Sequence, residues 1–189
     1  MSVSTFSIRL ARPDDLSKLG AVERSAASVF RSVGLAWLAD GGTMDPVVLE
    51  ALCQDGTLWV AVDERDEPVG FLAAHELDGH FYIAEVSVGG SHQRRGIGAR
   101  LVEAAIEHGR RLGFGAMTLT TYRDLTWNGP FYTRLGFAEI EPGEAGPGHR
   151  EKLREEAAAG HDPARRCIMA IRLDQPALSS RIAESRSNR

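Results

Sequence analysis

The apolar positions of this chain change period several times, and each change marks an element. Phe6 to Leu10 alternates apolar and polar side chains, the period of two of a half-buried strand. Pro13, with Asp14 and Asp15 behind it, opens a helix on which Leu16, Leu19, Val22, Ala26 and Val29 share one face until Gly34. Leu35 to Met44 loses the period and reads as a loop around Trp37, and Asp45-Pro46 starts a short helix to Gln54. Thr57–Asp63 and Pro68–Leu77 are β-rich runs separated by a polar turn. Asp78-Gly79 then leads into a third run, His80–Val88, so three antiparallel strands in a row are expected.

The second half interleaves helices and strands. Gly96–Leu112 is helical, with Ile97, Leu101, Ala104, Ala105, His108 and Leu112 facing inward and Arg100, Glu103, Glu107 and Arg111 outward. Ala116–Thr121 reads as a buried strand, Trp127–Leu135 as a short helix ended by Gly136, and Phe137–Glu141 as a strand. Pro142–Pro163 is rich in glycine, proline and charge, with one helical patch at Glu151–Ala158 whose charged stretch Glu151–Glu156 reads as a solvated face. Arg165–Leu173 is the last strand. The pattern is that of a mixed α/β domain over residues 1–173, with a Ser/Arg-rich tail, 174–189, expected to be disordered.

Composition narrows the function classes. The 189 residues are 43% hydrophobic and 25% charged, as in ordinary globular proteins, and the net charge of −4 argues against a sequence-independent grip on nucleic acid. No run approaches the roughly 18 apolar residues that span a bilayer, and the N-terminus lacks the pattern of a secretory leader. A cytoplasmic protein with no membrane partner is expected. Cys53 and Cys167 stand far apart without metal-ligand spacing and read as buried thiols, so no metal is expected.

The chemistry concentrates in Gln93-Arg94-Arg95-Gly96-Ile97-Gly98, between a strand and a helix. Glycines at a helix start allow close backbone approach, and the first-turn N–H groups together with the helix dipole favour phosphate oxygens. Arg94 and Arg95 add two cations. Leu101 stands where a dinucleotide-binding GxGxxG would need its third glycine, and the GK[ST] of a Walker loop is missing. The stretch instead resembles the acetyl-CoA loop, [QR]xxGx[GA], of the GNAT superfamily of N-acetyltransferases. Phe131-Tyr132-Thr133-Arg134-Leu135-Gly136-Phe137 is similar to that family's FYxxLGF signature, and the resemblance runs over residues 5–141.

The resemblance implies a single GNAT domain with a central mixed, mostly antiparallel sheet of six to seven strands and about four flanking helices. Splayed strands in that fold form the acetyl-CoA cleft. Arg94, Arg95, Gly96, Ile97, Gly98 and Ala99 would hold the pyrophosphate, and the backbone of Val86, Ser87 and Val88 would pair with the pantetheine arm. Tyr132 matches the family tyrosine near the thioester sulfur, a proton donor to the thiolate. The family asparagine that touches the cofactor falls at Leu125; Asn128, four residues before Tyr132, is the candidate here, either for that contact or as a helix cap.

Glu85 is the candidate general base, because a charged residue amid Tyr82-Ile83-Ala84 and Val86 is out of place for packing alone. Alternation puts Glu85 and Ser87 on one face of the strand. His75, His80 and His92 flank the same region as further proton carriers, and Trp37 with its loop would line the acceptor pocket. Transfer of acetyl from acetyl-CoA to a small-molecule or protein amine, by direct attack in a ternary complex, is the reading that follows, in a chain that as a member of this fold is a possible homodimer. Its rivals are a catalytically silent acetyl-CoA-binding or sensing module and a docking component of a larger assembly.

Overall fold

In the computed structural model of the chain, residues 6–174 are described. They form two compact units, one of residues 6–76 and 82–107, the other of 77–81 and 108–174. The expected tail lies almost wholly outside the described residues. The fold is mixed α/β with seven strands. Four of its helices reach nine residues or more.

In the first unit β1 (Ser7–Leu10), β2 (Leu58–Val62), β3 (Pro68–Leu77) and β4 (His80–Val88) follow one another in hydrogen-bonded order. Pairs β1–β2 and β2–β3 are antiparallel. Helices α1 (Pro13–Ala27) and α3 (Pro46–Gln54) bury Leu19, Val22, Leu49 and Leu52 against Leu58, Val60, Val62, Phe71 and Ala73. Both faces of β2 are buried, which explains its unbroken apolar run Leu58-Trp59-Val60-Ala61-Val62. Asp45 caps α3 as expected, its carboxylate accepting the Val47 N–H at 2.8 Å.

The predicted first helix continues to Gly34 but changes character. From Ser28 to Val33 it is a 3₁₀ turn, and Gly34 ends it in the left-handed region. The segment read as a loop contains one helical turn, α2 (Ala36–Ala39). α4 (Ile97–Arg111) buries Ile97, Leu101, Val102, Ala105 and Ile106, but the expected inward Leu112 is 56% exposed because the helix ends one residue earlier.

In the second unit β7 (Arg166–Arg172) lies between β5 (Ala116–Tyr122) and β6 (Ala138–Ile140), antiparallel to both. α5 (Gly129–Arg134) joins β5 to β6. The Gly/Pro-rich segment is more structured than its composition predicts: α6 (Pro142–Ala145) is followed by α7 (Pro147–Ala158), which starts four residues before the expected patch. The reason is a long-range cap. Asp78 and Gly79 both have left-handed backbones, the geometry of a type I′ hairpin turn, and Asp78 thereby meets the N-terminus of α7. Its carboxylate accepts the N–H of Gly148 and of His149 at 3.0 Å each and the His149 Nδ1–H at 2.8 Å. His149 is completely buried, and its Nε2 lies 2.8 Å from Thr118 Oγ1 on β5. At Gly146 the backbone is left-handed at φ +108° and a Cβ would stand 2.7 Å from the Asp78 carboxyl carbon, so glycine is required for this approach.

The other end of α7 is tied as firmly. Glu156 takes Arg166 in a two-pronged ion pair at 2.7 and 2.8 Å and also accepts the Thr120 hydroxyl. Glu156 is therefore not part of the solvated face expected of Glu151–Glu156, whereas Glu151 and Arg154 pair on the surface.

Burial works against the Asp78 carboxylate, but the three donated hydrogen bonds win and hold its pKa down at about 2. A depressed carboxyl pKa contributes stability that is complete above the unfolded value near 4 and is lost as pH falls toward 2. Asp78→Ala, which orphans a buried imidazole and two amides, is expected to destabilise the fold by about 3 kcal/mol, and Asp78→Asn by less, in urea unfolding at pH 7. Equal stability of Asp78→Ala and the parent would show that the contact does not hold α7.

Candidate functional site

β4 is a core strand at its start and an open one at its end. Phe81, Tyr82 and Ile83 are buried, whereas Ala84, Glu85, Val86 and Val88 are half-buried and Ser87 is buried. On the β3 side the approach is close: a Cβ on Gly70 would lie 3.0 Å from the Ser87 carbonyl oxygen. Glu85 and Ser87 share a face as their alternation requires, and the Ser87 hydroxyl donates to Glu85 Oε1 at 2.6 Å.

Glu85 is half-buried, and its carboxyl is poorly solvated. Desolvation pushes its pKa up to about 7, the Ser87 bond opposes the shift, and the carboxylate of Glu23 adds to it. Glu23, on α1, is itself raised by burial and accepts the Met44 N–H at 2.9 Å. In the sequence Glu23 is marked only by its place beside the Leu19–Val22 stripe, a carboxylate bordering an apolar face.

After Val88 the chain turns through Gly89–His92 into α4. Arg94 has φ +59° and Gly96 φ +81°, so two left-handed residues within three make the turn. Nothing lies within 4 Å of the space a Cβ on Gly96 would take. Arg94 and Arg95 are exposed on either side of the peptide they share. The N–H groups that follow head a 15-residue helix, where they have no intrahelical acceptor. Exposed guanidiniums, free helix-head amides and an unobstructed glycine together suit a di-anionic phosphate group.

The turn is braced from behind. Gln93 Nε2 donates to the Val88 carbonyl at 3.0 Å and to the Ala26 carbonyl at 3.4 Å, and the Gly90 N–H donates to Ser25 Oγ at 3.0 Å. All these residues belong to the first unit.

Two candidates lie in the second unit. Tyr132, on α5, is 8% exposed, its ring edge-on to Phe131 and Phe137. Asn128 does not cap α5 with its side chain. Its Nδ2 donates instead to Thr121 Oγ1 at 2.9 Å, and its Oδ1 is buried with no hydrogen-bond partner. Of the histidines, His75 packs on Tyr82, His80 stands edge-on to His149, and His92 Nδ1 lies 3.0 Å from Ser91 Oγ. Cys167 is buried, and burial pushes its thiol up to about 11, where it carries no thiolate at neutral pH. Among the described residues no group of three His, Cys, Asp or Glu could hold a metal ion, and no helix is long and apolar enough to cross a membrane.

A side chain with a Cβ costs about 1 kcal/mol in the left-handed region. Arg94→Gly is therefore expected to leave stability unchanged or raise it by up to ~1 kcal/mol, while Arg95→Gly, at a position without a positive φ, lowers it by about 0.5 kcal/mol or more. Thermal unfolding of the two variants checks this; equal losses would contradict the turn geometry.

Comparison with known proteins places the chain. The profile of the acetyltransferase (GNAT) family matches residues 30–137, more than half of the sequence. Among solved structures, a GNAT-family acetyltransferase from Staphylococcus aureus Mu50 is similar with a TM-score of 0.67 at 16% identity, covering 90% of this chain and 100% of that one. The ribosomal-protein-S18-alanine N-acetyltransferase of Escherichia coli gives 0.62 at 14%, covering 92% and 97%. The PaiA N-acetyltransferase of Thermoplasma acidophilum, solved with coenzyme A, gives 0.65 at 15%, covering 89% and 99%. At these identities the likeness speaks for the fold, and the fold and the profile agree: this chain belongs to the GNAT family of acetyltransferases.

Proposed function

We propose that the protein transfers an acetyl group from acetyl-CoA to a primary amine, with Glu85 as general base and Tyr132 as proton donor to the leaving thiolate. One observation carries this reading. The strand that bears a carboxyl with a pKa of about 7 runs straight into a turn that presents two arginines, Gly96 and the head of α4. Coenzyme A in the Thermoplasma acidophilum relative supports acetyl-CoA as the co-substrate. Arg94, Arg95 and the amides of Gly96–Ala99 would take the pyrophosphate, the backbone of Val86–Val88 the pantetheine arm, and the unpaired Oδ1 of Asn128 a donor on the same arm.

An amine with a pKa near 10 arrives protonated and has no lone pair to attack with. Ionised Glu85 accepts one proton from it through water. The freed nitrogen attacks the thioester carbonyl, the C–S bond breaks, and the nitrogen gives up its second proton as the amide forms. Tyr132 supplies a proton to sulfur and recovers the one released by nitrogen. Proton transfer from a phenol near 10 to a thiolate near 8.5 is uphill by about 2 kcal/mol, small enough for a step concerted with C–S cleavage. Neither cysteine lies on β4 or the turn, and direct transfer needs no acetyl-enzyme.

The acceptor is a small-molecule or protein amine, and an amine panel scored by release of the CoA thiol tests the reading. With a substrate in hand, the rate is expected to rise about tenfold per pH unit below pH 7 and to level off above it, because only ionised Glu85 is active. Glu85→Gln is expected to lose this dependence and about 100-fold in turnover, and Tyr132→Phe about tenfold or more. A raised carboxyl pKa means that the ionised form is disfavoured by folding, a cost present above pH 7 and absent at low pH. Glu85→Gln should therefore melt higher than the parent at pH 8. Unchanged turnover in both variants, with acetyl-CoA still bound, would overturn the assignment of base and acid.

A further inference from the structure

Between Ser28 and Met44 the first unit contains seventeen residues of which none is fully buried. The segment comprises the 3₁₀ turn, Gly34, the single turn of α2 with exposed Trp37, and Gly41-Gly42. It is closed at its own ends. The Arg31 guanidinium pairs with Asp40, its Nη1 at 3.2 Å from Oδ2, and the Met44 N–H returns to Glu23 on α1. Met44 packs on the core at the far end; between there and the root, the backbone is held by surface hydrogen bonds and ion pairs, the low end of local stability.

Its hinge lies where α1 turns into the 3₁₀ turn, at Ala27 and Ser28. Such a change of helix type within one continuous helix marks a place that can bend. At that place the carbonyls are taken by side chains: Ser25 O accepts the Ser28 hydroxyl at 2.7 Å and Ala26 O accepts Gln93 Nε2. Ser25 Oγ accepts the Gly90 N–H, and a Cβ on Gly90 would lie 3.4 Å from Ser25 O. The root of the segment is thus bonded, through Ser25 and Gln93, to the turn that carries Arg94 to Ala99.

We propose that Ser25 and Gln93 are positioning residues that couple occupancy of the Arg94–Ala99 turn to the order of the Ser28–Met44 segment. The inference rests on acetyl-CoA binding at that turn. An anion that fixes the amides of residues 96–99 fixes Gln93 and Gly90 a few bonds away, and these hold the carbonyl and hydroxyl at the hinge. Glu23, two residues before Ser25, then keeps Met44 and the far end of the segment in register beside Glu85. The cofactor would in this way shape the acceptor side before the acceptor arrives.

The test is amide hydrogen exchange with and without acetyl-CoA, on the full chain. In the parent, acetyl-CoA is expected to slow exchange about fivefold or more both at residues 93–100 and at 28–44, the range of ordinary coupling between two sites. Ser25→Ala combined with Gln93→Met keeps the protection at 94–100 and loses it at 28–44. Ser25→Thr, which retains the hydroxyl, keeps both. A thermal melt confirms that each variant is folded, and Ser25 is exposed, so its loss leaves no buried void. Protection confined to 93–100 in the parent overturns the coupling while leaving the proposed function intact, and needs no variant. Protection at 28–44 that survives in the double variant overturns the role of Ser25 and Gln93. No protection anywhere, with no acetyl-CoA bound, removes the proposed function and the coupling together.

Discussion

Two left-handed residues, Arg94 and Gly96, shape the turn from which helix α4 starts, and the candidate site depends on that turn. The chain enters α1 through an extended Arg12, whereas before α4 it turns through an arginine as well as a glycine in the left-handed region. The strain is local and modest, about 1 kcal/mol for the arginine. Its product is a helix head that follows directly on two exposed cations. The same turn is tied to α1 through Gln93 and Ser25, while its own shape comes from the left-handed Arg94 and Gly96.

Upstream of the turn the strand makes a second compromise. Glu85 is placed where solvation is poor enough to lift its carboxyl to about 7, and neighbouring Glu23 lifts it further. Folding alone would favour an apolar side chain at that position. The Ser87 hydroxyl recovers part of the cost by bonding the ionised form. A carboxyl poised near neutrality on an open strand end is an arrangement with a chemical use and a structural penalty, which is why it weighs more here than exposed Arg94 or Arg95 alone.

The order of elements from β1 to α4 was legible because its signals are local: alternation in Phe6–Leu10, a proline-led helix, the Asp78-Gly79 turn and two glycines at a helix start. What was not legible was non-local. Pro142–Pro163 looked irregular because its composition disfavours helix, yet α7 starts at Pro147, since Asp78, far away in sequence, supplies the cap that Gly146 cannot. His149 gave no sign in sequence of being completely buried, and Glu156 looked solvated until Arg166 was placed beside it. The Asn128 side chain likewise found Thr121 rather than the helix end. Within the site, Glu85, its face-mate Ser87 and the arginine–glycine turn were read from the strand period and the motif. Glu23 and Ser25 were not, because α1 meets the turn only in three dimensions.

Whether the turn after β4 holds a CoA pyrophosphate is asked most directly by a calorimetric titration of the full chain with acetyl-CoA. Binding in the micromolar range, weakened at least tenfold by Arg95→Glu in a protein that still melts cooperatively, is the predicted result. A folded parent protein that binds no acetyl-CoA, or an Arg95→Glu variant that binds as well as the parent, would contradict it.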